Sequence, residues 1–520
     1  MMAPVGQQSS TDDVDGVRAL AEMASGPAIS RQLAEDLDLD GVFSSLDRCR
    51  TGFGRAVLYY KLRRTDHSSG ELANFNNQVE ALRRNLALKS RVDTHLRPIG
   101  RKRGYRFWAL CREGSLHLPR WIWIGNVAAL GTVLAAFAAV RDPAWLGLAL
   151  AMVLCNFLAR YLLAPYLVSL SEPLRDLGLA VNAALDLSDD KELSGLQQAE
   201  LTHLSDLRAR SIGRWASWLG RDPLGRSDIA SSLQEYFNML LWLDVVASWQ
   251  IARLLHGKHA SLFALGQWVG QTDAAVAIAE CRAAAQTWTS PVFSEAAVSL
   301  TIKGAYHPRL ARPVANDLSL ALPGVVISGG NMTGKSTWLR TIGINVVLAQ
   351  TIATAFASSY VGPRLTVGSS VVTSDSLDKA VSHFEQAVLS VLQALPKVSS
   401  SWSLLLLDEP FSGTNDEDRT AATIALLVYL ERYCPQCLTL LTTHDPLVNE
   451  FGCPPYGAVH FGTDQGMARD YHLRPGRALQ PNAVDALRLL DAPPEFVDLV
   501  LTYRRETALR PTCPPSARPK

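Results

Sequence analysis

The sequence predicts a C-terminal α/β domain with a parallel sheet, preceded by an all-helical region that contains an apolar helical hairpin. Three observations predict this fold class. From residue 298 onwards, short apolar runs alternate with helical stretches, which is typical of a parallel α/β sheet. Before that point, apolar residues recur at helical spacing. Between residues 121 and 170, two long stretches are almost free of charged residues.

Changes in composition divide the chain into predicted segments. Residues 1–16 form a polar N-terminus without structure, 17–118 a helical segment, 119–170 the apolar hairpin, 171–297 a second helical segment, 298–508 the α/β domain, and 509–520 a proline-rich disordered tail. The first sixteen residues lack an apolar core, so the sequence predicts no cleavable signal peptide.

Overall composition narrows the class of protein only slightly. The 520 residues include 50 Lys and Arg against 49 Asp and Glu, so the total charge argues neither for nor against a nucleic-acid partner. Eight cysteines without regular spacing argue against a disulfide framework and favour a reducing compartment. Cys434 and Cys437 could form a metal or redox pair, with Cys453 and His460 as the nearest further ligands. Because structural zinc needs about four ligands, a turn with two unreactive thiols is the favoured interpretation.

A glycine-rich loop stands between an apolar run at residues 324–328 and a helical pattern at residues 337–350. A strand, a glycine-rich loop and a helix in this order are typical of a P-loop, whose backbone N–H groups surround the phosphates of a nucleoside triphosphate. Lys335 is predicted to place its charge near the β- and γ-phosphates, and Ser336 to offer its hydroxyl to Mg²⁺. The predicted phosphate-binding residues are Gly329, Gly330, Asn331, Met332, Thr333, Gly334, Lys335, Ser336 and Thr337.

Two further apolar strands end in residues suited to hydrolysis. The strand that starts at Ser403 leads into Asp408, predicted to hold Mg²⁺ through water, and Glu409, predicted to polarise the attacking water. The next strand ends at His444, which is predicted to contact the γ-phosphate or the attacking water; the alternative is a hydrogen-bonded surface histidine. Together with Lys335, these residues predict a Mg²⁺-dependent ATPase.

The same residues resemble the MutS family of mismatch-repair ATPases, which are related to the ABC ATPases. Residues 329–337 resemble the loop G-P-N-M-G-G-K-S-T, with Gly330 in place of proline and Thr333 in place of glycine. Further matches are His307 and Pro308 (H-P), residues 314–317 (V-x-N-D), Asp375 and Leu377 (D-x-L), Ser382 and Phe384 (S-x-F), residues 408–414 (D-E-x-x-x-G-T), Thr443 and His444 (T-H), and residues 471–476 (Y-x-L-x-P-G).

The resemblance implies a homodimer with composite ATP sites, DNA as a partner in repair or recombination, and Ser382 reaching into the neighbouring subunit's ATP site. Residues 46–51 and 271–273 also resemble the start and end of the family's helical core. Two departures stand out. Ala387 replaces a family glutamate, and the core-like segment begins near residue 35, without the preceding domain that inserts a Phe-x-Glu wedge beside a mismatched base. Whether the DNA is mismatched or branched therefore stays open.

The apolar hairpin is predicted to cross a membrane. Residues 121–140 carry no charge, and a helix of that length spans about 30 Å, the thickness of a bilayer's hydrocarbon core. Residues 141–143 are predicted to form a turn. Residues 144–170 form the second apolar stretch, in which Arg160 is the one charged residue. Basic residues on both flanks predict cytoplasmic ends, and so a cytoplasmic ATPase anchored in the inner membrane through residues 121–170. The alternatives are a buried hairpin and, for the basic run, contact with the DNA backbone.

Two other functions stay open at this point. One is an ABC-type ATPase of transport or of the cell envelope, because residues 408–410 and 443–445 also resemble ABC ATPases. The sequence L-S-G-G-Q is absent before residue 408, which argues against it. The other is a nucleotide-regulated scaffold with negligible turnover.

Overall fold

The computed structural model describes residues 17–18, 20–21, 28–111, 122–189, 204–217, 219, 242–294, 299–330, 333–371, 383–396, 402–451, 455–463, 469–477 and 493–508. They belong to two compact units. One unit contains residues 43–285 together with the residues before 29, and the other contains residues 29–42 and 286–520. The helical region followed by a C-terminal α/β domain is therefore confirmed.

The described helices are α1 (Arg31–Asp36), α2 (Leu39–Leu46), α3 (Gly52–Arg63), α4 (Ser69–Arg84), α5 (Leu86–Leu96), α6 (Phe107–Leu110), α7 (Ile122–Arg141), α8 (Leu146–Ser188), α9 (Ala209–Ala216), α10 (Leu243–Leu255), α11 (His259–Ala284), α12 (Lys335–Ile352), α13 (His383–Ala394), α14 (Asp416–Tyr433), α15 (Pro446–Phe451) and α16 (Pro494–Ala508). The described strands are β1 (Val292–Phe293), β2 (Ser299–Ala305), β3 (Asn316–Ala321), β4 (Gly324–Ser328), β5 (Ser359–Gly362), β6 (Thr366–Val371), β7 (Ser403–Asp408), β8 (Cys437–Thr443), β9 (Gly457–Thr463) and β10 (Arg469–Pro475).

The helical unit is organised around α11, which packs against α3 and α4. Asp273 of α11 is fully buried and accepts hydrogen bonds from the backbone N–H of Arg50 at 2.9 Å, from that of Thr51 at 2.8 Å and from the Thr51 hydroxyl at 2.7 Å. Because these donors lie where α3 begins, a single carboxylate ties the start of one helix to the middle of another. Gly54 permits this close approach, since a Cβ there would lie 2.1 Å from Asp273.

The apolar hairpin consists of α7 and α8, joined by Asp142 and a short 3₁₀ turn at Pro143–Trp145. Helix α8 does not end near residue 170, where the hairpin was predicted to end, but continues to Ser188. The reason is that Leu174, Leu177 and Val181 recur at helical spacing and are buried, so the same helix continues into the packed unit.

Only one stretch of helix in the described part of the chain, Pro143–Leu162, is both long and apolar enough to cross a membrane; Val127–Arg141 is a shorter apolar helix. Apolar core helices of soluble proteins meet the same test of length and composition. They are mostly buried, however, whereas the Pro143–Leu162 window is 11% buried.

The α/β unit contains a sheet with the strand order β10-β9-β4-β8-β7-β6 and a second sheet with the order β1-β5-β2-β3. In the larger sheet β9, β4, β8, β7 and β6 run parallel and β10 pairs antiparallel with β9. The central strands β4 and β8 are buried along their whole length, as expected for a parallel sheet covered on both faces.

Helix α1, which lies in the predicted segment 17–118, packs in the α/β unit instead of with the helical unit. Gln32 donates from Nε2 to the carbonyl of Ser369 at 2.9 Å. The buried Asp36 carboxylate accepts from the Ser369 hydroxyl at 2.6 Å and from the backbone N–H of Val371 at 3.2 Å. These bonds to strand β6 explain why residues 29–42 belong to the same unit as residues 286–520.

Candidate functional site

Strands β4, β7 and β8 end at the same edge of the larger sheet. Ser328 at the end of β4 pairs with Thr443, and Asp408 at the end of β7 pairs with Thr442. Ligands of open α/β sheets bind at the carboxyl ends of the strands, where the loops gather. This register therefore brings the glycine loop after β4 next to the carboxylates after β7 and the histidine after β8.

The glycine loop connects β4 to the N-terminus of α12. Gly329 and Gly334 have φ values of 150° and 105°, in the left-handed region that favours glycine. The Thr333 hydroxyl donates to the carbonyl of Gly330 at 2.8 Å, which closes the loop on itself. A loop of this shape at a helix N-terminus presents backbone N–H groups and a positive dipole to an anion. Asn331 and Met332 lie outside the described residues.

Lys335 is the first residue of α12, and its side chain is only 5% exposed. Its ammonium donates to the carbonyls of Gly329 at 2.8 Å and Gly330 at 3.0 Å, and lies 3.6 Å from Oε1 of Glu409. The lysine charge is thus held over the loop, close to the carboxylate after β7. Ser336 and Thr337 follow in the first turn and are exposed.

Glu409 and His444 form the second charged contact of this edge. Nδ1 of His444 lies 3.2 Å from Oε1 of Glu409. The pKa of Glu409 is lowered, first by His444 and then by Lys335, while the contact with Glu409 raises the pKa of His444. Glu409 has a φ of 46°, a conformation that L-residues seldom adopt and that is concentrated at functional sites. A carboxylate held ionised beside Lys335 and His444 can orient or polarise a water molecule.

The Asp408 carboxylate accepts a hydrogen bond from the Thr442 hydroxyl of the adjacent strand. The backbone N–H of Glu409 donates to the Thr442 carbonyl at 3.2 Å, so Thr442 holds both the Asp408 carboxylate and the Glu409 backbone. Mg²⁺ typically takes one or two protein oxygens and completes its shell with water and substrate phosphates. The carboxylate of Asp408 and the hydroxyl of Ser336 are donors of this kind, and they fit such an ion.

Cys434 and Cys437 lie in a turn, closed by a hydrogen bond from the Cys437 N–H to the Cys434 carbonyl at 2.9 Å. Burial raises the pKa of both thiols. Within the described ranges, His, Cys, Asp and Glu form no group of three or more that could hold a metal ion. Cys453, the nearest further cysteine, lies outside the described residues, so the interpretation as a turn with two unreactive thiols stays a prediction.

Several residues of this edge carry roles that the sequence analysis did not assign. Asp445 accepts from the Thr420 hydroxyl of α14 and from the Leu447 N–H at 2.9 Å, and its own N–H donates to the Thr443 hydroxyl at 3.0 Å. These contacts fix the loop that carries His444. Asp445 and Thr442 lack a sequence signal of their own, because their partners come from separate elements.

Tyr471 brings an aromatic ring to the glycine loop. A Cβ on Gly334 would lie 3.3 Å from Cδ1 of Tyr471, and the tyrosine is 44% exposed. Asn316 holds this part of β10 by donating to the Tyr471 carbonyl at 2.9 Å and accepting from the Leu473 N–H at 2.8 Å. The Y-x-L-x-P-G motif was the signal for this residue, but it did not indicate the position of the ring.

Some residues of the predicted site cannot be placed. Asp375, Leu377 and Ser382 lie outside the described residues. Ala387, which stands where the related family has glutamate, is a buried residue of α13.

This fold and the arrangement of its sheet edge define a P-loop nucleoside-triphosphate-binding domain. Residues 325–451 match the family model described as MutS domain V. MutS domain V is an ATPase domain, so the matched segment is an ATPase domain.

Individual relatives agree with this match over a C-terminal portion of the chain. The chain is 32% identical over 170 residues to endonuclease MutS2 of Streptococcus equi subsp. equi, a segment covering 32% of the chain and 21% of the relative. It is 33% identical over 150 residues to endonuclease MutS2 of Streptococcus sanguinis, covering 28% and 19%, and 30% identical over 192 residues to that of Streptococcus gordonii, covering 35% and 24%. The chain thus matches about a fifth to a quarter of the length of these relatives.

Proposed function

We propose that the chain binds ATP with Mg²⁺ and hydrolyses it at the edge formed by the glycine loop, Asp408, Glu409 and His444. The observation that carries the proposal is the position of Glu409, 3.6 Å from Lys335 and 3.2 Å from His444 at the end of a P-loop sheet. Lys335 binds the β- and γ-phosphates, Ser336 and Asp408 hold Mg²⁺, and Glu409 polarises the attacking water. His444 holds Glu409 ionised and contacts the γ-phosphate side of the site.

The test is ATP turnover and ATP binding of the purified full chain and three variants. Lys335→Ala is expected to lose binding, and Glu409→Gln to keep binding and lose turnover. Glu417→Gln, which changes an exposed glutamate at the start of α14, is the matched control and is expected to keep both. Turnover retained in Lys335→Ala would overturn the proposal.

The proposed active form is a homodimer in which Ser382 of one subunit completes the ATP site of the other. The support is the S-x-F resemblance and the MutS domain V match. A mixture of Lys335→Ala and Ser382→Ala chains tests it, because a mixed dimer contains one site with both residues intact. Recovery of turnover on mixing two inactive variants is expected, and two variants that stay inactive after subunit exchange would contradict the composite site.

DNA is the proposed macromolecular partner, in repair or recombination. The resemblance to MutS supports it, as does the name of the relatives, which describes endonucleases. Filter binding on matched, mismatched and branched duplexes, with and without ATP, tests it. We expect the chain to bind at least one duplex in an ATP-dependent way, with an affinity that falls as salt is added. Absence of binding to every duplex at low salt would contradict DNA as the partner. The MutS domain V match favours this function over ABC-type transport.

The proposed location of the ATPase is the cytoplasmic face of a membrane, to which residues 121–170 attach it. The support is the Pro143–Leu162 window, which is apolar and 11% buried. Membrane fractionation of the full chain, with a chain lacking residues 121–170 as the comparison, tests the attachment. The full chain is expected in the membrane fraction after a high-salt wash, and its recovery in the supernatant would contradict attachment.

A further inference from the structure

The polarity of the hairpin α7–α8 is reversed relative to a hairpin of a soluble protein. Within residues 127–162, the part of the pair whose side chains are described, the buried side chains are small or polar, namely Ala129, Thr132, Ala135, Ala149 and Asn156. Its large apolar side chains point outwards and are 58–71% exposed at Leu130, Leu134, Phe137, Leu150, Leu154 and Leu158. A helix pair in water places its large apolar residues between the helices and polar residues outside. The opposite arrangement, with small residues between the helices, is typical of helices packed in lipid.

A hydrogen bond between side chains joins the two helices inside this apolar surface. Asn156 donates from Nδ2 to the Thr132 hydroxyl at 2.8 Å, and that hydroxyl donates to the Ala128 carbonyl at 2.8 Å. Close approach is possible because a Cβ on Gly131 would lie 3.0 Å from Cε of Met152. In hydrocarbon, a polar side chain must find its partner within the protein, and the Asn156 amide finds one on the other helix.

The charges of α8 mark the ends of an apolar length that matches a bilayer. Arg141 and Asp142 stand at the tip, and the next charged residue is Arg160. The helix between the tip and Arg160 is roughly 27 Å long, close to the ~30 Å of a hydrocarbon core. Arg160 is paired with Asp244 of α10 at 2.5 and 3.1 Å. Trp145 is 47% exposed at the tip, where an interfacial aromatic residue belongs.

We infer that α7 and α8 cross a lipid bilayer as one closed pair, with acyl chains around their outer surface and the Arg141–Trp145 tip on the far side. This inference rests on the proposed membrane attachment and adds full crossing to it. We infer that lipid covers the outer surface of the pair, because residues 143–159 contain no charged residue on any side of the helix. A protein partner, or a second copy, would cover one side and leave a polar opposite side.

Cys155 is a natural probe of the middle of this span, since its side chain is exposed on α8. A membrane-impermeant maleimide should not label Cys155 in intact vesicles of either orientation, but should label it after solubilisation in SDS. Two introduced cysteines, each in a Cys155→Ser background, report the two sides of the membrane. Ala144→Cys lies at the exposed tip, and Leu86→Cys at a 72% exposed position of the helical unit. Peptide mass spectrometry assigns the labelled cysteine.

We expect Ala144→Cys to be labelled only in right-side-out vesicles and Leu86→Cys only in inside-out vesicles. Labelling of both from the same side, or labelling of Cys155 in intact vesicles as fast as Leu86→Cys, would overturn crossing of the bilayer. Those results would leave membrane attachment standing if the chain still sediments with membranes. Recovery of the chain in the supernatant would instead contradict the attachment itself, so the two failures are distinguishable.

Discussion

The Glu409 carboxylate lies 3.2 Å from Nδ1 of His444, at the point where two adjacent parallel strands end. The contact lowers the pKa of Glu409 and raises that of His444, so the charged forms of both residues are favoured together. The protein therefore holds an ionised carboxylate beside the glycine loop. This pair is the centre of the functional account.

The pair predicts a pH dependence of stability. A raised folded pKa of His444 means that its contribution is present below the ordinary histidine pKa of about 6.5 and is lost as pH rises through the folded value. The lowered pKa of Glu409 means that its contribution is present above about 4.3 and is lost as pH falls through the folded value. His444→Gln is expected to cost about 0.5 kcal/mol between these limits, because partial exposure screens the pair. Thermal unfolding of both proteins from pH 4 to 8 checks it, and an equal loss at every pH would contradict the assignment.

Glu409→Gln is predicted to lower ATP turnover by on the order of 100-fold, the usual effect of losing a positioned base. ATP affinity should stay close to that of the wild type, because phosphate binding depends on the glycine loop and Lys335. Single-turnover hydrolysis and equilibrium nucleotide binding separate the two effects, with Glu417→Gln as the control. Loss of binding together with turnover would mean that Glu409 supports the loop instead of the reaction.

Tyr471→Ala is predicted to weaken ATP binding by about 1 kcal/mol, roughly fivefold, because its exposed ring lies beside Gly334 and we expect the base to stack on it. Tyr471→Phe keeps the ring and should bind as the wild type does. The matched control is Tyr433→Ala, which removes a 63% exposed tyrosine from α14. Nucleotide titration of the three variants distinguishes stacking from a general effect, since equal weakening by Ala and Phe would exclude stacking.

Asn156→Leu is predicted to loosen the α7–α8 pair, because it removes the bond to Thr132 while keeping the side-chain volume. A loss of roughly 1 kcal/mol is expected for a hydrogen bond between membrane helices. The yield of a disulfide between Gly131→Cys and Met152→Cys, formed in membranes, measures the pairing. Leu154→Ala, on the outer surface, is the control and should leave the yield unchanged. An unchanged yield in Asn156→Leu would show that apolar packing alone closes the pair.

Asp273→Ala is predicted to destabilise the helical unit by about 3 kcal/mol, because the buried N–H groups of Arg50 and Thr51 and the Thr51 hydroxyl would lose their acceptor. Denaturant unfolding of both proteins, followed by tryptophan fluorescence, measures the change in the free energy of unfolding. Asp189→Ala, at the C-terminal end of α8, serves as the control. A loss of similar size in both variants would contradict the role given to the buried carboxylate.

Much of the α/β unit could be predicted from local sequence signals. The apolar run at residues 324–328 is strand β4 with the same bounds, and the helical pattern after the loop lies within Lys335–Ile352. Glycine positions, apolar runs and the residues directly after them are local features, so they identify the loop and the strand ends. The alignment of parallel strands then brings those ends together.

The features that the sequence did not predict depend on contacts between distant residues. Asp36 joins β6 across more than 300 positions, and Thr442 reaches Asp408 because β7 and β8 are neighbours. Helix α8 continues past residue 170 because its buried face after Leu174 packs in the helical unit. Local periodicity describes each element but not its partners, which is why these relationships required the structure.

The sheet edge around Lys335 and Glu409 is the proposed site of ATP hydrolysis. The most direct measurement is single-turnover hydrolysis of radiolabelled ATP by the full chain, with wild type, Lys335→Ala, Glu409→Gln and Glu417→Gln compared under saturating Mg²⁺. We expect hydrolysis by wild type and Glu417→Gln, bound but uncleaved ATP in Glu409→Gln, and neither binding nor cleavage in Lys335→Ala. Cleavage at the wild-type rate by Lys335→Ala or Glu409→Gln would contradict the proposed site.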